Sequence, residues 1–128
     1  MNRENIASGA PWEDMAAYSR AVKVGNVIYV SGTTGTDGEG KVTGDAYTQA
    51  TQTIKNIATA LEKAGASLEQ VVRTRIFITN IDDWQEVSRA HREAFNAIRP
   101  ATTLLQVAGL IDPTMLVEIE AEAVISEA

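Results

Sequence analysis

The stretch "VEIEAEAVI", Val117 to Ile125, decides how this chain is read. Apolar residues alternate with glutamates, and period two marks a strand whose successive side chains face opposite ways. One face, built from Val117, Ile119, Ala121 and Ala123, suits a core. The other carries Glu118, Glu120 and Glu122 in a row, and like charges on one face repel unless something answers them. That face meets water, another chain or a substrate.

The first answer lies upstream. In "VVRTRIFITN", residues 71–80, Arg73 and Arg75 alternate with the same period and share a face. If the two segments are neighbouring strands, cross-strand Arg–Glu pairs satisfy two carboxylates, each contributing roughly 0.2–1 kcal/mol. A ladder of this kind accounts for two glutamates and leaves the third.

Working further outward, "AVKVGNVIYVSG" (21–32) reads as two strands joined by Gly25-Asn26, with glycine first as a type II′ turn requires. "TTGTDGEGKVTGD" (33–45), with Gly35, Gly38, Gly40 and Gly44, reads as loop. From Asp45 the period changes. Tyr47, Ala50, Ile54, Ile57, Leu61 and Ala64 form the apolar stripe of a helix that Asp45 caps and Gly65 ends. Ser67 and Gln70 are spaced to cap a short turn, and Asp82 with Gln85 predicts a capping box for a second helix. That helix has the stripe Trp84, Val87, His91, Phe95 and Ile98, and Pro100 closes it. "TTLLQVAG" and "LVEIEAEAVI" supply the last strands, with "LIDPT" turning between them. The order β-β-loop-α-β-α-β-β predicts one α+β domain over residues 1–128, a mixed sheet with both helices on one face and the other face uncovered. Residues 1–10 are expected to be a flexible lead-in.

A chain of 128 residues suffices for one core. A net charge of −6 argues against a nucleic-acid partner, which calls for a basic surface. With no cysteine, disulfides, thiolate nucleophiles and thiolate metal sites are excluded. No apolar run reaches membrane-spanning length and the N-terminus lacks the apolar core of a signal peptide, so a cytoplasmic protein without a membrane partner is expected.

Gly35 to Lys41 has the phosphate-cradle spacing G-x-x-x-x-G-K. The next residue is Val42, where a hydroxyl should hold magnesium, and Asp37 and Glu39 set negative charge inside the loop, so nucleotide binding is not expected. His91 is the single histidine and lies on an apolar stripe, as a hydrogen-bonded boundary residue does. No metal site is expected around it.

Three stretches, taken in order, carry more. "YSRAVKVGNVIYVSGTTG", "NIATALEKAGASLEQVVRTRIFITNIDDW" and "RPATTLLQVAGL" with "VEIEAEA" resemble the Rid family (reactive intermediate deaminases, the YjgF type) over about Ala10 to Ile125. The resemblance implies a chorismate-mutase-like fold and a homotrimer whose sheets pack around an axis, with ligand clefts between subunits. It implies hydrolysis of enamines and imines to a carbonyl product and ammonia, without a cofactor.

By the same resemblance, Glu118 is the catalytic residue that positions the attacking water. Tyr18 closes the cleft, and the Ser31-Gly32 stretch offers the backbone of Gly32 to the ligand. Where the family carries a Pro-Ala-Arg-Ser stretch, this chain has Pro100-Ala101-Thr102-Thr103, followed by Leu104. Thr102 thus replaces the arginine that grips a substrate carboxylate, and Ser88 and His91 stand where asparagine and tyrosine are commoner. Substrate contacts are expected from Thr102, Thr103, Leu104, Ser88 and His91. Arg20, two residues from Tyr18 in an extended segment, points the same way and is a candidate substitute cation, with Arg99 the other. The expected function is imine or enamine deamination with an atypical substrate. A non-catalytic trimeric metabolite binder is the alternative, and an endoribonuclease fits less well with an acidic chain.

Overall fold

A computed structural model describes residues 2–126. In chain order its elements are β1 (Arg3–Ile6), α1 (Pro11–Ala16), β2 (Ala21–Val24), β3 (Val27–Thr34), α2 (Ala46–Lys63), β4 (Val71–Ile78), α3 (Trp84–Phe95), β5 (Ala101–Gln106) and β6 (Val117–Val124). The strands form one mixed sheet in the order β1-β2-β3-β6-β4-β5. β6 runs antiparallel to both β3 and β4 and splits them, while β4 and β5 pair in parallel across the α3 crossover.

The alternation in β6 decides which face is core. Val117, Ile119, Ala121 and Ala123 are at most 2% exposed, and they meet Ile28, Val30, Ile76 and Ile78 beneath α2 and α3. Truncating any one of the large ones to alanine would cost about 2–5 kcal/mol. The opposite face carries Tyr29, Arg75, Phe77, Glu118, Glu120 and Glu122, and no element among the described residues covers it.

The local signals near α2 hold. The Asp45 carboxylate accepts from the Thr48 N–H at 2.8 Å. Gly65, with φ +84°, ends the helix, and the Ala66 N–H donates back to the Leu61 carbonyl. Ser67 and Gln70 form their capping box. At α3 the sequence reading is corrected. Asn80, not Asp82, receives the capping N–H, because a short 3-10 turn over Ile81–Asp83 intervenes before Trp84. Trp84 itself is 49% exposed, since it begins the helix at the rim of the core rather than over it.

Two elements were not anticipated. Residues 3–6, expected to be flexible, pair with β2 as the sheet's edge strand, and α1 follows. β1 buries only Ile6, so it has no alternation to reveal it. Among the described residues no helix is long and apolar enough to cross a membrane.

Candidate active site

β3 carries a bulge. Val30 pairs with Ala121 and Thr33 with Ile119, so β3 spends one extra residue at Ser31-Gly32. The extra residue turns both Val30 and Thr33 toward the core, and the bulge falls opposite Glu120, one step along from the Thr34–Glu118 pair. A Cβ built on Gly32 would lie 2.3 Å from Glu118 Oε2. The glutamate therefore occupies the space that any other residue at position 32 would fill.

Arg20 lies against the same bulge. Its Nη1 donates to the Gly32 carbonyl at 2.7 Å and to Thr33 Oγ1 at 2.9 Å, and its Nη2 donates to the Tyr18 hydroxyl at 3.2 Å. Tyr18, Arg20, Gly32 and Glu118 thus come together. Glu118 is half-buried, and the loss of water pushes its carboxyl above the usual glutamate range. The Arg20 charge opposes that rise and neighbouring Glu120 adds to it.

The other two glutamates are answered differently. Arg75 reaches Glu122 at 2.9 Å and Glu120 at 3.4 Å, so one guanidinium serves both. Arg73, expected to pair with a glutamate, turns instead to Thr103 Oγ1 at 3.2 Å, and its Nε is buried without a partner among the described residues. Opposite Glu118 on β4 stands Phe77, which offers no charge.

The remaining predicted residues collect elsewhere. Thr102 Oγ1 donates to the Pro100 carbonyl, which leaves it to accept from Thr74 Oγ1 at 2.8 Å. Thr74 in turn accepts from His91 Nε2 at 2.8 Å. This chain makes His91 the Nε2–H tautomer. Half-burial holds its pKa below the ordinary histidine value, and its ring packs 4.6 Å from that of Phe95. Ser88 lies one helical turn before His91 and is half-buried. Leu104 packs on the core edge. Thr103, by strand alternation, points to the opposite face and takes the Arg73 bond. Arg99 has φ +49° in the turn after α3, and its side chain bonds to Asn96.

Within one chain these two groups do not form one pocket. Thr102 and Glu118 face opposite sides of the sheet and are separated by β4, two strand spacings of about 4.8 Å each. Sequence reasoning missed Glu13, Thr33 and Thr74, which support these groups from buried positions. Only Thr74 left a signal, a threonine at a core position of an alternating strand.

Of the stretch read as loop, Thr33 and Thr34 instead close β3 and Thr36 bridges Val42, while the glycine-rich remainder is loop. The Asp37 carboxylate accepts the N–H groups of Glu39 and Lys41, both at 2.9 Å, so amides that would cradle a phosphate are already used. Among the described residues, no three His, Asp or Glu side chains converge as a metal ion would need.

The family model described as Endoribonuclease L-PSP matches residues 9–125. The chain belongs to this family, the Rid or YjgF family. A solved Rid structure, Rv2704 from Mycobacterium tuberculosis, superposes with a TM-score of 0.90 at 43% identity, covering 97% of this chain and 100% of that one. Its described kinship is the YjgF/YER057c/UK114 family, and the shared architecture is the chorismate-mutase-like fold. The 2-iminobutanoate/2-iminopropanoate deaminase of Rattus norvegicus is 38% identical over 124 residues, 95% of this chain and 90% of its own. The 3-aminoacrylate deaminase RutC of Acinetobacter baylyi is 35% identical over 120 residues, 92% and 94% respectively.

Proposed function

We propose that this Rid protein hydrolyses an enamine or imine to a carbonyl compound and ammonia. The observation that carries the reading is the Glu118 carboxylate: half-buried, facing an uncharged residue on β4, and seated in a space that Gly32 keeps open. A carboxylate whose pKa is raised by burial is a better base near neutral pH than an exposed one. Glu118 holds a water, takes its proton as the oxygen adds to the C=N carbon, and returns it to the nitrogen. Glu118 then takes the proton of the new hydroxyl and passes it to the nitrogen, so that the C=O bond forms as the C–N bond breaks and ammonia leaves. The activities named for the rat and Acinetobacter relatives are of this reaction class.

The working site forms between copies. Because the Glu118 group and the Thr102–Thr74–His91 group face opposite sides of the sheet, a ligand touching both needs two subunits. The uncovered face supports closed packing: Tyr29 and Leu105 are 50% and 41% exposed on it, and the Arg73 Nε is orphaned. We take the assembly to be a homotrimer. Sedimentation at micromolar concentration tests it, and a monomer would remove the shared cleft.

The substrate differs from the imino acids in the relatives' names. Thr102 offers one neutral oxygen, already bonded to Thr74 and Pro100, where the family resemblance expects a guanidinium. A charge-assisted bond is worth about 1.5–3 kcal/mol, or roughly 10- to 100-fold in rate. The preferred imine is therefore neutral at that end. Ammonia release from a panel of enzymatically generated imines is the test. Turnover of neutral imines above 2-iminopropionate is expected. Equal turnover would overturn the substrate claim, and none with any imine would leave the non-catalytic binder.

A further inference from the structure

Glu13 is the one charged side chain in the core among the described residues, 6% exposed on the short α1. Its carboxylate accepts both the N–H and the hydroxyl of Ser8, which tie down the N-terminal segment. It also faces Arg20 Nε at 3.8 Å, and the Arg20 side chain is itself only 12% exposed. Buried charges persist where they are paired and hydrogen-bonded; these two are paired with each other and hydrogen-bonded to their other neighbours, Glu13 to Ser8 and Arg20 to Gly32 and Thr33. A guanidinium is a rigid fork. With its Nε side held toward Glu13, its far side lands on the Gly32 carbonyl and Thr33.

We infer that Arg20 is a positioning residue: anchored on Glu13, it clamps the Gly32 bulge and thereby sets where the Glu118 carboxylate sits, instead of gripping the substrate. The inference rests on the reading of Glu118 as the base.

The donor inventory supports it. Arginine has five N–H groups, and a substrate carboxylate is best held by two parallel ones along one edge. Along the Nη1–Nη2 edge, bonds already run to Gly32, Thr33 and Tyr18. The Nε edge looks at Glu13. A bidentate grip on substrate requires breaking bonds that hold the bulge. The charges agree: one cation stands with two carboxylates, Glu13 and Glu118, so an entering anion meets no net positive site. Arg20 is also the influence that offsets the burial of Glu118, as a clamp beside the base would.

Two readouts test the clamp in the full chain. The first is a carbon-detected NMR titration of the Glu118 carboxyl in the native protein, Arg20→Ala, Arg20→Lys and Glu13→Gln. The second is steady-state kinetics on matched imines with and without a carboxylate. For Arg20→Ala we expect Glu118 to titrate at higher pH. Its kcat should fall about 10- to 100-fold by the same factor on both imines, with KM little changed, as misplacement of a reacting group does. Arg20→Lys restores the titration toward native but not kcat, because an ammonium cannot span the bulge and Glu13 together. Glu13→Gln shows the same pattern, weaker, and Arg20→Gln replaces Arg20→Ala if the latter does not fold. An unchanged Glu118 titration in Arg20→Ala overturns the clamp. So does a rise in KM confined to the carboxylate-bearing imine, which would make Arg20 the substrate cation. If the native protein hydrolyses no imine, the proposed reaction fails alone, and the high-pH plateau of the same Glu118 carboxyl shift decides the clamp: displaced from native in Arg20→Lys if the guanidinium holds the bulge, native if its charge alone matters.

Discussion

Glu118 and Glu122 stand on the same face of the same strand, four residues apart, each flanked by small or apolar neighbours. Their situations are nonetheless different. Glu122 lies 2.9 Å from Arg75 and is part of a charge ladder on a sheet face. Glu118 faces Phe77 on one side and a glycine bulge on the other, so it is desolvated where Glu122 is paired. The difference teaches that a carboxylate's role in a sheet is set by its cross-strand partners. A cation one strand away makes a structural pair, whereas an apolar residue and a gap leave the desolvated carboxylate that the proposed reaction calls for.

Breaking each side of this contrast should give unequal effects. The largest is Glu118→Gln, which removes the proton acceptor but keeps the shape. We expect kcat to fall about 10²- to 10⁴-fold. The melting temperature should not fall at neutral pH. The sign follows from the raised pKa: a carboxyl raised in the folded state contributes stability at low pH and loses it as pH rises through that value, so the amide escapes the cost. Glu122→Gln should leave kcat within about twofold. Comparable loss from both variants would erase the distinction.

Next is Gly32→Ala. The new methyl meets Glu118 Oε2, the mobile end of a side chain, so the carboxylate moves rather than the backbone. A kcat loss of about 10- to 100-fold with little change in stability is expected, since small misplacements cost that much. A loss of stability with normal activity in the folded fraction would show that the bulge, not the carboxylate, needs the glycine.

Arg75→Ala addresses the other side. The pair is about one-third exposed, so screening limits its worth, and chemical denaturation should show a loss of about 1 kcal/mol or less. Activity at Glu118 should be retained. The smallest effect is at His91. Burial lowers its pKa, so the stability it contributes is present above about pH 6.5 and is lost as pH falls below that value. His91→Gln should flatten the decline in melting temperature between about pH 6.5 and pH 5, and an unaltered slope would show that the ring titrates freely.

What the sequence by itself determined is whatever rests on a short-range period. Alternation from Val117 to Val124 is enough to name a strand and its two faces, because side-chain direction follows from backbone geometry alone. The stripe of α2 and its Asp45 cap are equally local. β1 escaped because an edge strand with one buried residue has no period to read. Which glutamate matters was decided elsewhere. The alternation of Arg73 and Arg75 suggested two pairs, but only packing could send Arg73 to Thr103 and give Arg75 both carboxylates. The bulge at Ser31-Gly32, the buried Glu13 and the placement of Thr102 on the face opposite Glu118 are likewise tertiary facts. Each depends on which strand lies beside which, and hydrogen bonds between residues up to a hundred positions apart are not written in any local pattern.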